Sequence, residues 1–315
     1  MLRFTLQRIL ATIPVLVIVA VIVFMILHLS PGDPAAIIAG DNATDKDLEQ
    51  IRQSLGLDKT LIEQFFIWLG NVVQGDLGYS FFQRKPVTEL IYQRLEPTAS
   101  LALGTLVLAV LIAVPLGTIG GWRMGGWLDR FLTCFSVAGF VLPVFVTGYI
   151  LIYIFSVTLE WLPIQGYHRL AGWSDFLPWL SRLVLPWLTL GMIYVALIAR
   201  ITRASVSEAL TEDFVRTARS KGLSEAEVLA RHALPNAAVP IVTIIGIGFA
   251  SLISGVVVTE TVFAIPGLGS LTVDAVLNRD FPVVQGLVLF FGFVYVLVNL
   301  LVDLSYILID PRIRY

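Results

Sequence analysis

The sequence is short of charged residues and of cysteine, and each shortage excludes a class of protein. Charged residues make up 14% of the 315 positions and hydrophobic residues 57%, whereas soluble domains carry about 25% charged residues. An ordinary soluble protein is therefore excluded. The single cysteine, Cys134, rules out an intrachain disulfide framework, and a net charge of −2 provides no basic field for nucleic acid.

Histidine and lysine are also scarce, which removes two kinds of site. The three histidines, His28, His168 and His232, have no metal-ligand spacing, so we expect no metal site. The pattern GxxxxGK[ST], which binds nucleotide phosphates, includes none of the four lysines: Lys46, Lys59, Lys85 and Lys221. We therefore expect no bound cofactor, no ATP site and no catalytic residues on this chain.

What the sequence does contain is six long apolar segments without Asp, Glu, Lys or Arg. About 20 helical residues cross the core of a bilayer, so each segment predicts one transmembrane helix. They are residues 9–29, 98–121, 131–158, 183–199, 238–259 and 282–302. The first is favoured as an uncleaved span over a signal peptide, because its 21 apolar residues exceed the usual apolar core of a signal. The predicted fold is an all-α integral membrane protein with six transmembrane helices.

Basic residues are distributed unevenly between the two sides of this arrangement. The N-terminus, the 122–130 and 200–237 loops and the tail after residue 309 hold twelve Lys and Arg residues, against three in the 159–182 and 260–281 loops. Short loops rich in Lys and Arg remain in the cytoplasm. The sequence therefore predicts that both termini are cytoplasmic.

The chain is expected to divide into a first helix at 1–29, an extracytoplasmic helical segment at 30–97, a core of helices at 98–309 and a cytoplasmic tail at 310–315. In the second part, Thr44 and a Thr60–Glu63 capping box predict two short helices. Ten acidic against six basic residues there favour a solvated cap, with a direct substrate site as the alternative.

Two features within the apolar segments predict how they behave. Gly117 and Gly121 have the four-residue spacing that lets helices approach closely. No Asp, Glu, Lys or Arg lies inside a span, which argues against a proton or ion relay. Glu260 and Asp303 are expected at the ends of spans, where water reaches them.

The charged stretch DFVRTARSKGLSEAEVLARHALPNA, residues 213–237, lies between the fourth and fifth apolar segments. We expect Thr211 to cap a first helix with Glu212 and Asp213 in its first turn. Arg216, Arg219 and Lys221 toward its end complement the helix dipole. Gly222 should stop this helix in a left-handed conformation, and residues 224–227 form a capping box for a second helix. Both a rigid protrusion that docks on a soluble partner and a solvated loop fit this pattern.

The stretches TARSKG (217–222) and HALPNA (232–237) resemble the cytoplasmic EAA loop of binding-protein-dependent ABC importer permeases. Four other stretches resemble the B-type permeases of the dipeptide, oligopeptide and nickel group in the same order. They are IPVL…PGDPA at 13–35, GDLGYS with PVTELIYQRL at 75–95, TETVFAIPGLGSL at 259–271 and FPVVQG…NLLVDLSY…DPRIRY at 281–315. Ser220, where alanine is usual, and Glu96 before Pro97 depart from the family and leave the substrate type open.

The resemblance implies a type I ABC importer transmembrane domain with a small helical insertion after the first helix. It implies a coupling helix that docks on an ATPase subunit and a link to the fifth span, formed together by Asp213, Arg216, Thr217, Ala218, Arg219, Lys221, Gly222, His232, Leu234, Pro235 and Asn236. It also suggests an outer gate or binding-protein contact formed by Glu260, Phe263, Pro266, Gly267 and Gly269.

The implied function is that of a non-catalytic permease subunit in a bacterial inner membrane. Its implied partners are two ATPase subunits that carry ATP and Mg, a second homologous permease, a periplasmic solute-binding protein and the lipid bilayer. Peptides are the expected substrates, with nickel chelates, glutathione or glycosides as alternatives. An ion-coupled secondary transporter, a membrane anchor and a membrane enzyme are the rival functions, and the residues that an ion-coupled transporter or an enzyme would need are not seen in the sequence.

Overall fold

The computed structural model describes residues 2–29, 58–80 and 82–309. The α-helices are α1 Leu2–Leu29, α2 Leu61–Val73, α3 Val87–Trp122, α4 Trp127–Val141, α5 Val144–Ile152, α6 Phe176–Ala209, α7 Asp213–Ser220, α8 Glu225–Val228, α9 Leu234–Asn236, α10 Ala238–Val262, α11 Leu268–Leu277 and α12 Phe281–Ile309. Turns of π-helix follow α5 at Tyr153–Thr158 and α8 at Leu229–Ala233, and a 3₁₀ turn at Trp173–Asp175 precedes α6. One antiparallel hairpin joins β1, Tyr79–Ser80, to β2, Lys85–Pro86.

Within the part of the chain that the structure describes, four helices are long and apolar enough to cross a membrane. They are Leu6–Leu29 in α1, Val87–Trp122, Trp173–Ala209 and Phe281–Tyr306 in α12. The segments Glu225–Asn236 and Ala238–Leu252, which meet at an angle of 60°, make a fifth when they are counted together. The all-helical membrane fold predicted from the sequence is confirmed.

The third predicted span differs from the expectation, because residues 131–158 do not form one helix. The chain breaks after Val141, and Pro143 stands at the N-terminal boundary of α5. Proline has no N–H to donate and its ring clashes with the carbonyl four residues earlier. This favours the end of α4 before Pro143, whereas α3 and α6 continue through their internal prolines. The apolar run therefore becomes two helices in sequence.

The chain separates into two compact units, and Glu96–Ser270 makes up most of the first. Its core is formed mainly by apolar side chains of α3, α4, α5, α6 and α10, among them Leu101, Leu183, Ile198 and Leu252. An ideal Cβ on Gly117 would lie 2.6 Å from the carbonyl oxygen of Ala199, and one on Gly121 would lie 2.6 Å from that of Arg203. The predicted close approach of glycine-containing helices is confirmed, with α6 as the neighbour of α3.

The second unit contains most of α1, α2, the hairpin and the segment Leu271–Val296. The predicted capping box of α2 is confirmed: the Thr60 hydroxyl accepts from the Glu63 N–H, and the Glu63 carboxylate accepts from the Thr60 N–H. The helix expected after Thr44 lies outside the described residues. The hairpin is held by the Ser80 hydroxyl, which donates to Asp280 at 2.5 Å.

Candidate coupling segment and the 260–270 turn

Residues 213–237 are hereafter called the coupling segment. Its first helix, α7, begins one residue later than expected. Glu212 has the extended backbone of an N-cap, but its side chain makes no capping hydrogen bond. Thr211 does not cap the helix, because its hydroxyl donates to the Glu208 carbonyl at 2.7 Å. The expected placement of Asp213 in the first turn and Arg219 in the last is confirmed, and this order of charges complements the helix dipole.

Gly222 ends α7 in the way the sequence predicts. Its φ is +79°, a left-handed conformation that glycine adopts without steric cost. The Gly222 N–H donates to the Arg219 carbonyl at 3.0 Å and the Leu223 N–H to the Ala218 carbonyl at 3.4 Å. These two bonds form a Schellman motif, which satisfies the last carbonyls of the helix and fixes a sharp corner.

The helix after the corner is tied back to α7 by an ion pair. Ser224 and Glu227 form the predicted capping box of α8. Arg219 donates from Nε and Nη2 to the Glu225 carboxylate at 2.8 Å and 3.1 Å, and the indole N–H of Trp122 donates to the same carboxylate at 3.3 Å. The Arg219–Glu225 pair therefore stabilises the corner at Gly222 through an interaction within the coupling segment.

A small apolar cluster supports the coupling segment from below. Val215, Ala218 and Val228 are buried together, and Leu210 and Leu223 pack against them. The opposite side of α7 carries exposed charges, where Arg216 pairs weakly with Asp213 at 3.5 Å. The fixed side of α7 is thus apolar, and its free side is charged.

The second half of the coupling segment leads into α10 through a bend. A π-helical turn at Leu229–Ala233 precedes α9, and the Asn236 amide donates to the His232 carbonyl at 2.7 Å. Leu234 packs against the buried cluster of Val206, Ala237 and Ile241. Of the sequence-predicted link residues, Leu234 therefore joins the coupling segment to α6 and α10, whereas Pro235 and Asn236 are exposed.

Glu260 corrects an expectation from the sequence, since its side chain is buried rather than reached by water. Its carboxylate accepts from the Thr98 hydroxyl at 2.6 Å and from the Ser270 N–H at 2.8 Å. The Thr98 oxygen in turn accepts from the Leu268 N–H at 2.8 Å. Both N–H groups lie in the first turn of α11, so Glu260 and Thr98 satisfy donors that the helix itself leaves open.

The 260–270 turn brings together the five residues predicted for an outer gate. A Cβ on Gly267 would overlap the Glu260 carboxylate, and one on Gly269 would lie 2.7 Å from the Val257 Cα. Phe263 is buried and its carbonyl accepts from the Gly166 N–H at 2.8 Å, whereas Pro266 is exposed. Their role in gating or in binding-protein contact stays a prediction.

Two polar clusters were missed by reasoning from sequence. Asp129 binds Arg203 through two hydrogen bonds, of which the Nη2–Oδ2 bond is 3.0 Å, and accepts from the Gly125 N–H at 2.9 Å. The bonds from Arg203 and then from Gly125 lower the pKa of Asp129. The available signal in the sequence is a pair of opposite charges at the ends of two apolar segments, but no local pattern indicates that Asp129 and Arg203 meet.

The second cluster surrounds Glu96. In the sequence this residue stands out only as a departure from the family pattern. Glu96 accepts from the Tyr167 hydroxyl and, at 3.3 Å, from Arg169 Nε. The Trp179 indole N–H donates to the Tyr167 oxygen at 3.2 Å. Burial, followed by the Glu96 hydrogen bond, raises the pKa of Tyr167 to about 12. Glu96 thus fixes the aromatic 159–182 loop onto α3.

Comparison with known families and curated proteins gives matches along the whole chain. The family described as "Binding-protein-dependent transport system inner membrane component" matches residues 113–315, and its N-terminal counterpart matches residues 1–102. The probable peptide ABC transporter permease protein y4tP of Sinorhizobium fredii is 50% identical over 312 residues, 99% of each chain. The glutathione transport system permease protein GsiC of Escherichia coli K12 is 44% identical over the full length of both chains.

Among solved structures, an inward-facing form of the MetNI methionine ABC transporter has a similar fold. Its TM-score is 0.59 at 15% sequence identity, and the match covers 70% of this chain and 96% of that chain. At this level of identity the likeness concerns the fold alone. A helical importer-type membrane domain agrees with the architecture described above.

Proposed function

Because the chain belongs to the family of binding-protein-dependent transport system inner membrane components, we propose that it forms half of the translocation pathway of an ATP-driven importer. The observation that carries this proposal is the coupling segment. A short helix with an exposed charged side is fixed by buried Val215, Ala218 and Val228 and by the Arg219–Glu225 pair. Such a rigid protrusion is suited to transmit force from a soluble partner.

In this proposal the energy comes from partner subunits. Two ATPases hold ATP and Mg and bind the coupling segments of this chain and of a second, homologous permease. A solute-binding protein delivers substrate on the opposite side of the inner membrane. The concentration of Lys and Arg in the 122–130 and 200–237 loops supports a cytoplasmic location for the coupling segment and for both termini.

Peptide-like solutes are the proposed substrates. The relative with 50% identity is named as a probable peptide permease, and the relative with 44% identity as a glutathione permease. Glutathione is itself a tripeptide, so both names point to small molecules with amide bonds and charged ends. A dipeptide or tripeptide is therefore the first class to test, with glutathione as the specific second candidate.

The test is peptide-stimulated ATP hydrolysis by the complex reconstituted in lipid, with Arg216→Glu as the probing variant. Arg216 lies on the free side of α7 and makes no bond to the buried cluster, so charge reversal should weaken ATPase binding without unfolding the corner. We expect a several-fold loss of stimulated hydrolysis and of co-purifying ATPase.

Arg130→Glu is the matched control, because Arg130 is an exposed arginine in the first turn of α4, outside the coupling segment. This variant should retain both ATPase binding and stimulation. If Arg216→Glu behaves like Arg130→Glu, the coupling role of α7 is refuted. If glutathione stimulates hydrolysis and other peptides do not, the importer proposal stands and glutathione is its proposed substrate.

A further inference from the structure

Helix α2 has three distinct sectors around its axis. Residues of an α-helix turn by about 100° each, so Ile62, Phe66, Leu69 and Val73 share one sector. Gln64, Phe65, Trp68 and Val72 share a neighbouring sector. Glu63, Gly70, Asn71 and Gln74 lie opposite, with Ile67 among them. The helix is therefore amphipathic, with one broad apolar surface and one polar surface.

Half of the apolar surface is accounted for by packing on α1. The ring of Phe24 lies 5.4 Å from that of Phe65 and 5.7 Å from that of Trp68, measured between centroids. Nε2 of His28 bonds to the Gln64 side-chain oxygen at 2.9 Å. These contacts hold α2 against the last two turns of the first transmembrane helix.

The other half of the apolar surface is exposed. Ile62, Phe66 and Val73 are 71%, 65% and 80% exposed, and Leu69 is half-buried. These four residues, hereafter the α2 stripe, contain no charge. Glu63 is the single charged residue of α2 and lies outside the stripe. Exposure of such an apolar stripe to water is unfavourable, and it indicates a surface that is covered by another molecule.

We propose that the α2 stripe lies in the head-group boundary of the lipid bilayer. Phe24 is five residues before the end of α1, about 8 Å along the axis at a rise of 1.5 Å per residue, so its contacts place Phe65 and Trp68 of α2 near that end. Helix α1 has exposed apolar residues at Val17, Ile18 and Ile22, as expected of a helix surface that faces lipid. The stripe continues this lipid-facing surface to the boundary.

Lipid is also the occupant that the shape of α2 fits. An interfacial helix buries its apolar side about 5–10 Å into the boundary and keeps its polar side in water, and aromatic side chains concentrate there. Phe66 provides an aromatic of this kind in the stripe, while Glu63 and Asn71 face away. In this arrangement α2 rests on the membrane instead of standing above it as a solvated cap.

The experiment uses nitroxide labels on single cysteines in the full chain, reconstituted in bilayers of phosphatidylethanolamine and phosphatidylglycerol. Cys134→Ser removes the native thiol, and the labels are placed by Ile62→Cys, Phe66→Cys and Val73→Cys. Glu63→Cys and Asn71→Cys are the matched controls on the polar side. Collision with oxygen, which partitions into lipid, is compared with collision with a water-soluble nickel chelate.

We expect labels at 62, 66 and 73 to favour oxygen and to lie about 5–10 Å below the phosphates, and the controls to favour the nickel chelate. Nickel-favoured collisions at all five positions would overturn the proposal. Protection of the stripe from both reagents would also overturn it, because another protein segment would then cover the stripe. In a further variant, Phe66→Asp is combined with the label at position 73. Collisions of that label should then shift in favour of the nickel chelate.

Discussion

Gly222 and Gly267 are both required to be glycine, but for different physical reasons. At Gly222 an added Cβ would meet no atom within 4 Å, and the constraint is the backbone, whose φ is +79°. At Gly267 the constraint is space, since a Cβ would overlap the Glu260 carboxylate. Each reason predicts a different consequence of substitution by alanine.

Gly222→Ala should loosen the corner of the coupling segment by a purely conformational effect. A left-handed conformation costs a non-glycine residue about 1–2 kcal/mol, and 1 kcal/mol corresponds to about a fivefold change in an equilibrium. We therefore expect amide hydrogen exchange at residues 218–223 to accelerate about fivefold or more.

Gly70→Ala is the control for this prediction, because Gly70 also has nothing within 4 Å but lies inside α2. Alanine is favoured over glycine in a helix by about 0.5–1 kcal/mol, so exchange near residue 70 should slow. Equal exchange rates in Gly222→Ala and the parent chain would contradict a conformational role for Gly222.

Gly267→Ala should destabilise the 260–270 turn by overpacking. The new methyl would displace the carboxylate that accepts from Thr98 and Ser270, and forced overpacking costs about 1–3 kcal/mol. We expect a lower melting temperature of the detergent-solubilised chain. Gly172→Ala, where a Cβ would meet only the Ser174 hydroxyl at 4.0 Å, should melt like the parent; a matching result for Gly267→Ala would refute the steric reason.

At the scale of elements, the Asp129–Arg203 pair joins the start of α4 to α6. Its contribution depends on pH in a defined direction. Because the folded-state pKa of Asp129 is lowered, the pair contributes fully above the ordinary aspartate pKa of about 4 and is lost as pH falls through the lower folded value. Neutral and mildly acidic solutions therefore leave it intact.

Asp129→Asn should lower the free energy of unfolding by about 1.5–3 kcal/mol at pH 7, the range for hydrogen bonds to charged groups. The difference from the parent should stay constant between about pH 5 and pH 8 and shrink below about pH 4. Thermal unfolding in detergent across this pH range measures it. Asp213→Asn is the control, since Asp213 is 93% exposed; an equal loss in both variants would argue against the pair.

Local elements were predictable from sequence, while long-range contacts were not. The capping boxes at Thr60 and Ser224 and the stop at Gly222 each depend on residues within a few positions, and all three are confirmed. The prediction that Thr211 caps α7 was wrong, because its hydroxyl bonds to the preceding turn. A threonine hydroxyl can bond to backbone groups on either side of it, and the sequence does not indicate which. Burial of Glu260 depends on Thr98, 162 residues away, and no local pattern encodes that distance.

At the scale of the whole molecule, the charge asymmetry predicts the side of the membrane on which each loop lies. In a Cys134→Ser background, Ser174→Cys and Ser220→Cys place one thiol on each predicted side, and both serines are exposed. In intact cells an impermeant maleimide should label position 174 and not 220. After the cells are broken open, both positions should react; the reverse labelling pattern in intact cells would invert the proposed orientation.

The hydrogen bonds between Thr98, Glu260 and Leu268 also set an order for biosynthesis. Thr98 belongs to the second span to leave the ribosome, whereas Glu260 and Leu268 follow 162 and 170 residues later. The hydrogen bonds of Thr98 on α3 are therefore completed only when more than four-fifths of the chain has been translated. Nascent chains that stop before residue 260 therefore lack these closing contacts of the first unit.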